Sequence, residues 1–280
     1  MAVSIWAGWS VMTRLAVTTG LDAWDIPALR FGVAGLLVLP VVIQRGLALN
    51  RLGWLGLIGL IAGTGAPYAL VVAIGLRFAP AYDAGALNPG CMPLFVALIA
   101  ATRRMETFSA SQKFGLALIL VGALLIAGWH GSSWDITRGI GDILFLFASF
   151  LTACYTVVLR RAQLDPVHAA ALVSTGSLVV YVPFYVALHG LHFASVSSTT
   201  LIVQVVFQGI VVTIISLVFY ARAVAILGAS RASAFGALVP ALSGLFAIPL
   251  LAEWPTMAGW TAIALISGGV YLASRGSSPR

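Results

Sequence analysis

The chain divides into ten apolar runs, at about 2–20, 26–44, 53–77, 80–102, 110–129, 139–160, 166–188, 198–226, 230–252 and 256–274. A bilayer core about 30 Å thick takes roughly 20 residues of helix, and inside it the backbone must satisfy its own hydrogen bonds. The runs therefore predict an all-α polytopic membrane protein of ten transmembrane helices, with short connections that make consecutive helices antiparallel. The alternating strands of a membrane barrel are absent. Only 8% of residues are charged, against about 25% in soluble domains, so polar surface is too scarce for a globule in water. The run Ile5–Val17 has no basic segment ahead of it and no A-x-A-like site after it, and reads as helix 1 rather than a signal peptide.

The net charge of +7 comes from 15 basic residues, all Arg except Lys113. They are dispersed along the chain rather than patched, which excludes a nucleic-acid surface. Their distribution across alternate loops sets an orientation instead. With the N-terminus inside, the inner loops and tail hold Arg45, Arg51, Arg103, Arg104, Lys113, Arg160, Arg161, Arg222, Arg231, Arg275 and Arg280. The outer loops hold Arg77 and Arg138. Both termini are thus expected in the cytoplasm, for a multi-pass protein of a bacterial inner (plasma) membrane.

A repeat is visible at nearly constant offset. Leu21, Asp22, Leu29 and Pro40 match Leu164, Asp165, Leu172 and Pro183; Ala81, Gly85, Pro89 and Phe95 match Ala232, Gly236, Pro240 and Phe246; Glu106, Ile119 and Gly122 match Glu253, Ile266 and Gly269. Five helices per unit is an odd number, so the second copy enters the membrane from the other side. Two inverted five-helix repeats are expected, over 1–133 and 134–280.

Taken together, these residues resemble the drug/metabolite transporter superfamily, and within it the members with two EamA-type repeats. The resemblance rests on Trp6, on Pro27-Ala28-Leu29-Arg30-Phe31, on the stretch from Ala79 to Pro89 with Glu106, and on Gly228 through Pro240 to Glu253, followed by a Gly-rich last helix. It implies a carrier that moves small metabolites by alternating access, often outward, and is similar to bacterial exporters of amino acids, including aromatic ones. Arg30 has Val173 at the matching position of the other half and Asn88 has Val239, so the halves are not chemically equivalent.

Pathway residues are sought where helices break near mid-membrane, because freed backbone groups there line a cavity or find protein partners. Pro67 after Gly63-Thr64-Gly65, Pro89 and Pro93 in helix 4, and Pro240 before Ser243-Gly244 mark such places. Polar and aromatic groups at similar depth, namely Trp6, Trp9, Tyr68, Tyr82, Asn88, Tyr155, Ser216, Tyr220 and Ser243, are the candidate substrate contacts. Trp24, Trp54, Trp134, Trp254 and Trp260 lie near helix ends, where headgroup contact explains them.

Charges within spans need partners or an exit to the interface. Arg14 or Arg30 is expected to pair with Asp83, Asp22 or Asp25 and so help close the outer side. Substrate carboxylate binding and snorkelling are the other roles open to an embedded Arg. Glu106 and Glu253 precede helices 5 and 10 and suit helix N-termini. Cys91 and Cys154 read as small apolar groups, and His130, His168, His189 and His192 lack metal-ligand spacing. No phosphate loop or catalytic constellation occurs. A carrier without cofactor or metal follows, with a small-molecule substrate and the lipid bilayer as partners. Carriage of phosphorylated or nucleotide sugars and lipid flipping are the alternative activities.

Overall fold

The computed structural model describes residues 1–102, 108–128, 136–190, 193, 196–228, 232 and 234–274. Every regular element among them is helical. The first five are α1 (Ala2–Thr18), α2 (Asp25–Arg45), α3 (Leu49–Thr64), α4 (Ala66–Phe78) and α5 (Ala81–Thr102). Then come α6 (Ala110–Gly128), α7 (Ile136–Ala162), α8 (Pro166–His189) and α9 (Ser198–Gln204). A π-helical stretch, Val205–Ile215, joins α9 to α10 (Ser216–Leu227). A 3₁₀ turn, Phe235–Leu238, leads into α11 (Val239–Leu251), and α12 (Met257–Ser274) completes the bundle.

These elements make ten crossings, because α3 and α4 form one, α9 to α10 another, and the 3₁₀ turn with α11 a third. Eight are long and apolar enough to cross a membrane by length and composition, while Phe235–Leu251 is a shorter apolar helix. With α1 at 17 residues, a span of about 26 Å results. Met1 and the last turn of α12 lie at one end of the bundle, called the near end below. Large apolar side chains such as Leu37, Leu98, Leu124, Val180 and Ile226 are exposed on the perimeter, where lipid rather than water solvates them.

Local sequence sets where the helices begin and stop. Asp165 accepts the His168 backbone N–H at 3.0 Å and Pro166 fills the first turn, so α8 starts there. Ser109 and Gln112 cap α6 reciprocally, through Gln112 N–H to Ser109 Oγ at 3.2 Å and Ser109 N–H to Gln112 Oε1 at 2.9 Å. Gly46 after α2 and Gly190 after α8 adopt φ of 72° and 68°, a region that glycine enters without steric cost.

The pairs α2 with α8, α6 with α12 and α5 with α11 pack along one another, and α1 lies against α11 as α7 lies against α5. Small residues let the α6–α12 pair approach closely. A methyl group on Gly115 would stand 2.6 Å from the Gly269 carbonyl, and one on Gly122 would stand 3.0 Å from the Ala262 carbonyl.

The broken backbone is distributed differently from the proline pattern. The third crossing breaks at Gly65, whose extended backbone (φ −86°, ψ −150°) separates α3 from α4. The freed Ala66 N–H donates to Ser177 Oγ of α8 at 3.0 Å, so the gap is closed by packing rather than by an open cavity. Pro67, in the first turn of α4, is exposed at the perimeter. In contrast, α5 runs unbroken through Pro89 and Pro93. Pro240 sits in the first turn of α11, where its missing N–H is no loss. The eighth crossing, which carries no proline, contains the longest departure from α geometry, eleven π residues.

Candidate functional site

Polar side chains gather at two levels, a lattice at the far end and a cluster at mid-depth. At the far end Arg14 pairs with Glu253 at 2.9 Å and donates to the Leu76 carbonyl. The second Glu253 oxygen accepts the Ala81 N–H at 2.8 Å, so this carboxylate ties α1 to the start of α5. Arg138 grips Asp83 through two bonds of 2.7 and 3.0 Å and donates to Tyr82 Oη at 3.2 Å. Asp142, one turn along α7 from Arg138, is buried beside that pair. Arg77 reaches Asp22 at 3.3 Å, and Tyr185 Oη donates to Asp25 at 2.5 Å. Trp24, Tyr181, Tyr185 and His189 stack around the same level.

The expected pairing of Arg14 or Arg30 with Asp83, Asp22 or Asp25 is therefore corrected. Glu253 takes Arg14, Arg138 takes Asp83 and Arg77 takes Asp22. The physical reason is that α7 begins at Ile136, before the apolar run does. Arg138 is consequently on a helix face turned to α5 rather than in a loop. Glu253 likewise serves the N-terminus of α5 rather than that of α12, where Thr256 Oγ1 accepts the Gly259 N–H at 3.1 Å. Glu106 lies outside the described residues.

The mid-depth cluster forms around Trp9, near the middle of α1. Tyr68 of α4 stacks on the Trp9 ring with centroids 5.7 Å apart and planes at 18°, and Asn88 of α5 donates to Tyr68 Oη at 2.7 Å. Trp9 Nε1–H donates to Gln208 Oε1 at 2.8 Å. Gln208 Nε2 donates in turn to Thr13 at 3.1 Å and to Gln204 at 3.2 Å, and Gln204 reaches the Met12 carbonyl. The Arg30 guanidinium lies over the Trp9 ring at 5.2 Å and the Phe31 ring at 5.1 Å, with Nε–H to Thr213 Oγ1 at 3.3 Å. Six elements thus meet here, α1, α2, α4, α5, α9 and the π stretch.

The π stretch positions part of this cluster. In a π turn the i and i+5 groups align, and Thr213 Oγ1 donates to the Gln208 carbonyl five residues back at 3.0 Å. That bond presents the Thr213 oxygen to Arg30. Gly209 lets α2 come close, because a methyl there would stand 2.8 Å from Val33 Cβ.

Other candidates fall around or outside the cluster. Trp6 packs against Tyr220 at 5.2 Å, toward the near end. Ser243 bonds the Ala7 carbonyl at 3.3 Å and meets Ser10 at 3.5 Å, a seam of α1, α5 and α11. Ser216 donates to its own helix at the Val212 carbonyl. Tyr155 is half-buried against Gly63, and Tyr82 belongs to the far-end lattice. Gln204, Gln208, Thr13 and Thr213 escaped the sequence reading, as did the roles of Arg138 and Asp142. Two Gln residues four apart in an otherwise apolar run were the available signal, since that spacing puts both on one helix face.

A model of the EamA-like transporter family matches residues 1–128 and 139–275. A solved structure, described only as the crystal structure of a protein, is similar over 99% of this chain and 96% of its own, at 23% identity and a TM-score of 0.63. That likeness is one of fold. No curated protein matches the chain.

Proposed function

The chain belongs to the EamA-like transporter family, and we propose that it exports small amphipathic metabolites, amino acids among them, through the Trp9–Arg30 cluster. It is a multi-pass membrane transporter of small solutes. The observation that carries the proposal is the convergence of α1, α2, α4, α5 and the π stretch on one mid-depth cluster of aromatic faces, amides and a guanidinium. Aromatic faces accept an apolar side chain, and a few fixed polar groups orient the charged end.

Alternating access needs two units that rock against each other around such a site. Inverted repeats over 1–133 and 134–280 supply them in this reading. The two separate stretches matched by the family model support it. So does the α6–α12 seam, where Gly122 meets Ala262 and Ile266 while Gly269 meets Gly115 and Ile119. Each residue of one triplet has its counterpart 147 positions away in the other, the reciprocity expected of a twofold axis.

The far-end lattice then acts as the outer gate. At the near end Arg45, Arg51, Lys113, Arg160, Arg161 and Arg222 accumulate, which supports cytoplasmic termini in a bacterial inner membrane. Reconstitution into liposomes, with uptake of a labelled amino-acid panel measured with and without a pH gradient, tests the reading. Saturable uptake of at least one amino acid is expected. Failure of every amino acid, alongside transport of another solute class, overturns the substrate assignment.

A further inference from the structure

Among the described residues Arg30 is the one charged group placed in the mid-depth cluster, and its surroundings are unusual for a cation. Its Nε–H is used by Thr213 and two aromatic rings flank it. A guanidinium offers five N–H donors; among the described residues the Nη donors of Arg30 meet no acceptor and no carboxylate pairs with it. The described acidic residues are committed at the two ends. Asp22, Asp25, Asp83 and Glu253 hold partners in the far-end lattice, Asp142 is buried within it, and Asp165 faces Arg45 at the near end.

Snorkelling does not account for this placement. Arg30 lies about 7 Å inside the far-end start of α2, yet its guanidinium turns toward Trp9, at the middle of α1, and Thr213, at the middle of its crossing. An interface-seeking Arg would turn the other way, toward headgroups. An uncompensated charge is disfavoured at this depth, and an anion is what compensates it.

We infer that Arg30 is the carboxylate-binding residue of the transport site, and that the site selects a small organic monoanion with an aromatic or apolar body. The inference rests on the reading of the Trp9 cluster as the transport site. One guanidinium neutralises one negative charge, and with Nε–H given to Thr213 its remaining Nη1–Nη2 edge matches the fork of a carboxylate. A phosphate dianion would leave a charge unpaired. A free ammonium group would do the same, because no acidic side chain among the described residues reaches the cluster to receive it. The carboxylate is therefore required and the α-ammonium group is dispensable. Stacking on Trp9 and Tyr68 then rewards a planar or apolar body.

Three ligands with one ring and different charges separate the possibilities: 3-phenylpropionate, L-phenylalanine and phenethylamine. Binding to the purified full chain in detergent is followed by calorimetry and by tryptophan emission, with Trp9→Phe identifying the reporter. The expected order is 3-phenylpropionate at least as tight as phenylalanine, with phenethylamine weaker by about tenfold or more. Arg30→Gln lowers 3-phenylpropionate affinity by about tenfold, and Arg30→Lys restores part of it. Phenethylamine binding as tightly as 3-phenylpropionate overturns the inference without any variant, and unchanged binding to a folded Arg30→Gln overturns it too. Arg30-dependent binding of 3-phenylpropionate with no binding or transport of phenylalanine upholds the anion site and sinks the amino-acid reading. Phenylalanine binding that ignores Arg30→Gln does the reverse.

Discussion

Asp165 shows how much a single side chain does in the thin water-facing layers of this protein. The His168 N–H it accepts, with Arg45 nearby, holds its carboxyl below the usual carboxylate range. A carboxylate of lowered pKa contributes stability above its unfolded value, about 4, and loses it as pH falls through the folded value. Asp165→Ala is expected to cost about 1 kcal/mol through the lost cap and to flatten the decline of melting temperature below about pH 4, measured in detergent. Glu253 does two jobs at once. Glu253→Gln keeps an acceptor for the Ala81 N–H but loses the ion pair with Arg14, whereas Glu253→Ala loses both. The alanine variant should melt lower, by the equivalent of about 1 kcal/mol, and Arg14→Gln with Glu253→Gln should be less than additive. Additivity would mean that the two side chains do not act as a pair.

Among the elements, α6 and α12 depend on glycine more than on apolar bulk. A Cβ on Gly115, Gly122 or Gly269 would meet backbone atoms at 2.6–3.0 Å as well as Leu272, Ile266 or Ile119 side-chain atoms, so shifting a side chain alone would not make room. Gly269→Leu is expected to destabilise the bundle by about 1–3 kcal/mol, while Gly268→Leu, where a Cβ meets nothing within 4 Å, should melt like the parent. The Gly-rich character of α12 was legible in its residues, but which glycines face α6 was not. The same applies to helix breaks. Proline marked α5 and the start of α11, yet the long π stretch has no proline, since what holds it is the Gln208, Thr213 and Gly209 contact with α1 and α2.

At the scale of the molecule, the far end is tied by ion pairs that join α1, α4, α5 and α7 to one another and to the α1–α2 and α11–α12 connections, whereas the near end shows exposed links such as Arg45–Asp165. The orientation proposed from the charge distribution is testable: Leu47→Cys at the near end should react with an impermeant maleimide only from the cytoplasmic side. Thr19→Cys, at the far end, should react only from outside. Labelling in the opposite sense would overturn the assignment of the far-end lattice as the outer gate.

The sequence by itself determined the ten crossings, because hydropathy is a solvent preference that each segment expresses alone. It carried the caps at Asp165 and Ser109 for the same reason, since those bonds close within four residues. It also held Trp9, Tyr68, Asn88 and Arg30 among the residues singled out. Partnership was decided only by the tertiary structure. Arg14 sits 239 positions from Glu253 and Trp9 sits 199 from Gln208, and helix rotation, which apolar runs leave undefined on a lipid-solvated bundle, sets which polar groups meet. That rotation gave Asp83 to Arg138 and left Arg30 facing the centre with its Nη donors turned to no described acceptor.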